Sequence, residues 1–194
     1  MRFSIPRTFR LGLLAVASLL VFSSCDSGAI GGGTQRITLT TELNTLRFRF
    51  NADDLRTGRL EDVDCGCSLD IAGFLESRGY SKADIVSAQV QSAQLVMLFP
   101  ITARANILNK AILKLDAEGV SSTEVADEST FTAQREAPLT VLQGRNIASI
   151  VERTSFDATL QIDANTLEPG VNYEMGVVLT LVIDVEGVLA NSNA

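Results

Sequence analysis

The strongest constraint in this sequence is a period of two. From Phe156 to Asp163 the chain alternates without a break: Phe156, Ala158, Leu160 and Ile162 are apolar, while Asp157, Thr159, Gln161 and Asp163 are polar. Successive side chains of an extended chain point to opposite faces, so this pattern predicts a strand over 155–164 with one buried and one wet face. The same alternation runs from 172 to 188, with Val177, Leu179, Leu181, Ile183 and Val185 on one face and Thr180, Asp184 and Glu186 on the other. Between them, Asn165 to Gly170 has turn chemistry ending in Pro169-Gly170, so the two runs are expected to form an antiparallel hairpin. The long apolar face of 177–185 is also expected to offer an exposed sheet edge that supports self-association.

Period two extends to earlier parts of the chain. Ile37, Leu39 and Thr41 alternate with threonines, and Leu46, Phe48 and Phe50 alternate with Arg47 and Arg49. Residues 90–99 and 107–117 are rich in Val, Ile and Leu, with Pro100 interrupting any continuous strand between them. Shorter candidates lie at 130–134 and 139–142. Helical spacing is brief: Asp70 is placed to cap a helix to Arg78, Ser81 and Asp84 suggest a capping box for a turn through Ser87, and Ile147, Ile150 and Val151 suggest a helix within 143–153. With 194 residues, 46% of them hydrophobic, the chain can bury one ordinary core. The expected fold is mainly β: one antiparallel β-sandwich over 35–190, jelly-roll or immunoglobulin-like, with one to three short helices.

The first 24 residues are a different kind of segment. Arg2, Arg7 and Arg10 precede an unbroken apolar run, Leu11 to Phe22. As a helix that run spans roughly 18 Å, short of the ~30 Å hydrocarbon core, and reads as the middle of a secretion signal. Phe22-Ser23-Ser24-Cys25 follows, and resembles the lipobox of bacterial lipoproteins, with Phe22 where leucine is usual. The resemblance implies cleavage before Cys25, a diacylglyceryl thioether on its sulfur and an acyl chain such as palmitate on its new amino group. It also implies a place in the bacterial cell envelope, attached to a membrane through the N-terminal lipid. Asp26 resembles an enterobacterial inner-membrane retention signal, a rule other phyla do not follow, so inner and outer membrane both stay open. A secreted protein cut near Ser24 is the rival reading. Residues 26–34 (DSGAIGGGT) make a flexible tether, with a reach of roughly 15–18 Å.

Few residues suggest chemistry. Histidine is absent, which excludes Ser-His and Cys-His catalysis and histidine-ligated metals within this chain. The formal charge of −7 becomes −10 once the three N-terminal arginines are removed, which argues against nucleic acid as a partner. Cys65 and Cys67 are either small core residues, a structural bridge, a redox dithiol or half of a metal site. An extended i, i+2 pair lies about 6.5–7 Å apart, so a bridge requires a turn at Gly66. Asp53, Asp54, Glu61, Asp62 and Asp64 supply oxygen ligands suited to Ca²⁺, but without EF-hand spacing, and a solvated acidic loop is the plainer reading. Arg47, Arg49, Arg56 and Arg59 form the one local basic cluster, readable as an anion patch or a wet strand face balanced by acids. No GxSxG, Walker A or HExxH motif occurs, and Gly31-Gly32-Gly33 is linker. Of nine Phe, six remain after the signal, mostly at core-phased positions, and there is no Trp to stack on a sugar.

These observations lead to an expected lipid-anchored, extracytoplasmic binding or structural module, without cofactor, whose partner is an envelope protein or a glycan. A lipid-anchored carbohydrate-active or thiol-redox enzyme, built on scattered carboxylates or on Cys65 and Cys67, is the alternative.

Overall fold

The computed structural model describes residues 34–55, 58–165 and 167–188. The N-terminal segment with Cys25 and its tether, and Arg56, lie outside these residues. The described chain forms eight strands: β1 (Thr34–Asn51), β2 (Glu61–Asp64), β3 (Ile85–Phe99), β4 (Leu108–Ala117), β5 (Val120–Glu128), β6 (Glu136–Val141), β7 (Asp157–Ala164) and β8 (Asn172–Val188). Their order is β1-β8-β3-β6-β5-β4-β7-β2, and every pairing is antiparallel. The β5–β6 contact is short, Ala126 opposite Val141 and Asp127 opposite Thr140, and joins two four-stranded layers. One layer is β1-β8-β3-β6 and the other is β5-β4-β7-β2, the interleaved order of a jelly-roll sandwich.

The alternating residues fill the space between the layers. Val177, Leu179, Leu181, Ile183 and Val185 of β8 have no exposed surface, and Leu160 and Ile162 of β7 are equally buried. They belong to one continuous core with Phe48, Leu95, Met97, Leu113 and Leu115. No charged or polar residue is buried among the described residues, as the cost of removing such groups from water demands.

Three strand expectations are corrected. β7 and β8 do not pair with each other. β7 lies between β2 and β4, and β8 between β1 and β3, in opposite layers. The period fixes which face each strand buries, and both inner faces are satisfied by meeting across the core rather than side by side. For the same reason 177–185 is an interior segment with no free edge. Residues 130–134 are not a strand. The missing strand is β5, whose polar sequence hides it and whose start is set by the turn Glu118-Gly119, with Gly119 at φ +74°. In β1 the two short candidates merge, with an irregularity in register between Leu43 and Leu46.

The helices are shorter than their spacing suggests. α1 covers Ala72–Glu76, where the Ala72 N–H donates to Asp70 Oδ1 at 3.0 Å. Ser81 N–H and Oγ both donate to Asp84 Oδ2, at 2.7 and 2.9 Å, but the turn they fix is a 3₁₀ turn, Lys82–Asp84, and β3 begins at Ile85. α2 is Ala148–Val151, where Asn146 Oδ1 accepts from both Ala148 and Ala88 N–H and so pins the helix start to β3. Lys82 gathers these pieces: its ammonium lies 2.6 Å from Asp70 Oδ1 and donates to the carbonyls of Arg153 and Thr154 just past α2.

Gly176, in the middle of the sheet, has no room for a side chain. A Cβ there would sit 2.6 Å from Thr45 Cγ2 and 3.1 Å from Leu98 Cδ1. Gly176→Ala should therefore destabilise by about 1–3 kcal/mol, and thermal unfolding should show it as a loss of several degrees. Gly73→Ala, within α1 and with open space around the added methyl, should instead leave the melting temperature unchanged or raise it.

Candidate functional site

At the end of the first layer, the start of β8 lies between the end of β1 and the end of β3. Register places Arg49, Glu174 and Phe99 in one row across three strands, and Asn51 opposite Asn172 in the next row. The inner residues of this end are closed by Phe50 and Tyr173, whose rings stack at 5.5 Å and 11°. The Tyr173 hydroxyl accepts from Glu168 N–H at 3.1 Å, and Ala52 N–H donates to the Val171 carbonyl at 2.9 Å, which ties the two flanking loops together. The 3₁₀ turn Ala52–Asp54 is held by Asn51 Oδ1 accepting from Asp53 N–H, and Asp53 Oδ1 accepts from Gly170 N–H.

These elements enclose an open cleft of about 360 Å³ lined by Arg49, Asn51, Asp54, Phe99, Asn172 and Glu174 over the Phe50–Tyr173 stack. That volume falls at the lower end of the range for small-molecule sites. Glu174 is clasped by two arginines, Arg47 Nη1 at 2.7 Å and Arg49 Nε at 3.2 Å. The hydrogen bonds from Arg49 and then Arg47 outweigh desolvation and hold the Glu174 carboxyl below its ordinary range. Asn51 Nδ2 donates to Asn172 Oδ1 at 2.9 Å. Three groups in the cleft have no partner among the described residues: the Asp54 carboxylate, the Asn172 amide N–H and the outer nitrogens of Arg49. Phe99 is 55% exposed. The arrangement therefore offers donors, acceptors and one exposed aromatic ring, with the Phe50–Tyr173 stack on the inner face of the same strand ends.

The other expected residues are distributed as follows. Cys65 and Cys67 are joined in a disulfide with Cα atoms 5.1 Å apart, and Gly66 takes the turn, at φ +60°. Both are half-buried and pack against the core, so the inward phase of Val63, Cys65, Cys67, Leu69 and Ile71 persists although the ladder of β2 stops at Asp64. Asp53 and Asp54 sit on the turn after β1, whereas Asp62 and Asp64 lie on β2. Among the described residues no three Asp, Glu or Cys groups are arranged to hold a metal ion. The basic cluster is divided: Arg47 and Arg49 serve Glu174, and Arg59 pairs with Glu61 at 3.8 Å.

Phe99, Asn172 and Glu174 carry no local signal. They are brought to Arg49 and Asn51 only by the long-range register of three strands. Asp116 and Asp157 were equally hidden: they face each other directly across β4 and β7. Burial, then Asp157 and then Asp64, raises the Asp116 carboxyl above its ordinary 3.8.

The chain matches no family model, and no curated protein matches it. Among solved structures it is similar to the BFDV capsid protein in its 60-mer crystal structure, at 11% identity and a TM-score of 0.34, covering 84% of this chain and 98% of that one. It is also similar to desmodium yellow mottle tymovirus, at 13% identity and a TM-score of 0.22, covering 96% of this chain and all of that one.

The Asp116–Asp157 pair yields a pH test. Because the folded state raises the Asp116 pKa, it binds that proton more tightly than the unfolded chain does. Its contribution to stability therefore declines as pH rises from about 4 through the raised value, and the charged form is a cost at neutral pH. Asp116→Asn should melt about 2–4 °C higher at pH 7, the size expected for removing a like charge directly opposite another. The gain should fade toward pH 3–4. An equal gain at both pH values would mean that the charge of Asp116, penalised first by burial and then by Asp157, is not its cause.

Proposed function

We propose that this protein is a lipid-anchored, extracytoplasmic binding module of the bacterial cell envelope, held by acylated Cys25 and presenting the cleft at the far end of its jelly roll. The observation that carries the reading is the separation of the two ends along one strand. The tether joins the domain at Thr34, where β1 begins beside the end of β8. β1 then runs 18 residues to Asn51 at the cleft, a distance of about 50 Å. A chain attached to a bilayer at the first end turns the second end toward solvent and whatever it meets there.

The anchor has simple energetics. Each buried CH₂ contributes about 0.8 kcal/mol, and two or more acyl chains hold a protein stably where one does not. The acidic body makes no attraction of its own to anionic lipid, and among the described residues no helix is long and apolar enough to cross a membrane. Membrane attachment in this reading therefore depends wholly on Cys25.

The full chain expressed in a bacterium should partition into the detergent phase on cloud-point separation, and its mature N-terminus should carry the mass of Cys25 with its acyl chains. Cys25→Ala should move it to the aqueous phase or leave the signal uncut. Aqueous partition of the parent chain, with an unmodified N-terminus, refutes the anchor.

A further inference from the structure

We infer that the cleft between the ends of β1, β3 and β8 binds a neutral saccharide. This rests on the reading of that cleft as the module's binding site, and adds the chemistry of what enters it. Three properties of the cleft select the class.

The first is charge. Among the described residues the charged side chains lining the cleft are Arg49, Asp54 and Glu174, and Arg47 pairs with Glu174 from beside it. Glu174 is already matched by both arginines. An anionic ligand could reach the outer nitrogens of Arg49, but Glu174 already offsets that guanidinium charge and the Asp54 carboxylate on the same lining repels it. A cationic ligand would meet Arg49 at the rim, its side chain 70% exposed. A ligand without charge faces neither penalty.

The second is the mixture of hydrogen-bonding groups. Asp54 offers acceptors only, the outer nitrogens of Arg49 offer donors only, and the Asn172 amide N–H is a further donor. Vicinal hydroxyls both donate and accept, so one ring can satisfy a carboxylate with one hydroxyl and a guanidinium or amide with its neighbour. A purely apolar ligand would strip water from these groups and return nothing.

The third is Phe99. It is 55% exposed at the end of β3, in the row of Arg49 and Glu174, while Phe48, Phe50 and Phe156 of the same chain are buried. The face of an aromatic ring is negative, and the axial C–H groups of a pyranose are weakly positive, so a sugar ring can lie on it while its hydroxyls reach the polar rim. The Phe50–Tyr173 stack beneath fixes the strand ends that aim these groups, so little ordering is required on binding.

The test is isothermal titration of the purified full chain in detergent with cellotriose, maltotriose and diacetylchitobiose as neutral probes, and with digalacturonate and trialanine as the charged and peptide comparisons. At least one neutral probe should bind. Phe99→Ala should weaken it by about tenfold or more, Asn172→Ala should weaken it too, and Phe99→Tyr, which keeps the ring, should restore it. Arg78→Ala, at the opposite end of the domain, should leave it unchanged. Binding of no neutral probe, or binding indifferent to Phe99→Ala, overturns the inference. Binding of digalacturonate or trialanine alone, lost in Phe99→Ala, overturns the saccharide and leaves the binding module in place. Failure of the anchor is read separately, by detergent partition, and does not alter the titration.

Discussion

The structure depends on β8 having a partner along both of its sides. β1 pairs with it from Thr34 to Asn51 and β3 from Ile85 to Phe99, so the longest apolar row of the chain becomes the middle of a layer. Its inward residues then have no exposed surface, and its backbone groups are matched on each side. The outer face follows from the same register. Asp184 accepts from Thr38 on one neighbour and Ser87 on the other, and Glu174 receives Arg47 and Arg49 and stands beside Phe99. The cleft is thus the terminal row of the strand that organises the core, and its shape is as firm as that pairing.

Charge is used locally in this acidic chain. Glu174, Asp70 and Asp84 are each held below the ordinary carboxylate range, first by Arg49, by Lys82 and by the Ser81 backbone respectively. These contributions are present above the unfolded carboxylate pKa values and are lost as pH falls through the lowered ones, so acid loosens the clasp at Glu174 and the Lys82 junction together. Asp116 opposes this trend, since two carboxylates face each other across β4 and β7 with Asp64 nearby. Arg47 and Arg49, which alternate on one strand face like a ready anion site, are instead engaged by one glutamate more than a hundred residues away.

Local chemistry was legible where it was local. The buried faces of β1, β7 and β8, the strand composition of β3 and β4, the Asp70 cap and the Ser81–Asp84 box could be read from neighbouring residues, whereas a bridge with a turn at Gly66 is one reading of Cys65 and Cys67 among several. Partner choice could not. A period of two says that Leu160 and Leu179 are buried, and is silent on whether they meet side by side or across a core. β5 escaped because its sequence, VSSTEVADE, is polar and acidic, and only the preceding Glu-Gly marks its turn. The candidate site fared worst, for a physical reason. Arg49, Asp54, Phe99 and Asn172 are each unremarkable where they stand, and their combination exists only once three strand ends are aligned.

The open order of the strands leaves β1 and β2 as the two outer edges, and an unpaired edge invites another chain. β2 answers by being four residues long and acidic at three of them. β1 is too long for that solution and uses two others. Its register shifts between Leu43 and Leu46, an irregularity of the kind that twists an edge away from a straight partner, and Arg36, Glu42, Arg47 and Arg49 stud its outer face on both sides of the shift. One of those arginines, Arg49, also lines the cleft, and Arg47 holds the cleft residue Glu174 from beside it. A residue that discourages edge-to-edge association, Arg49, therefore also serves the polar end of the site, which lies at the outer corner of the layer where β1 and the loop after it approach the ends of β8 and β3.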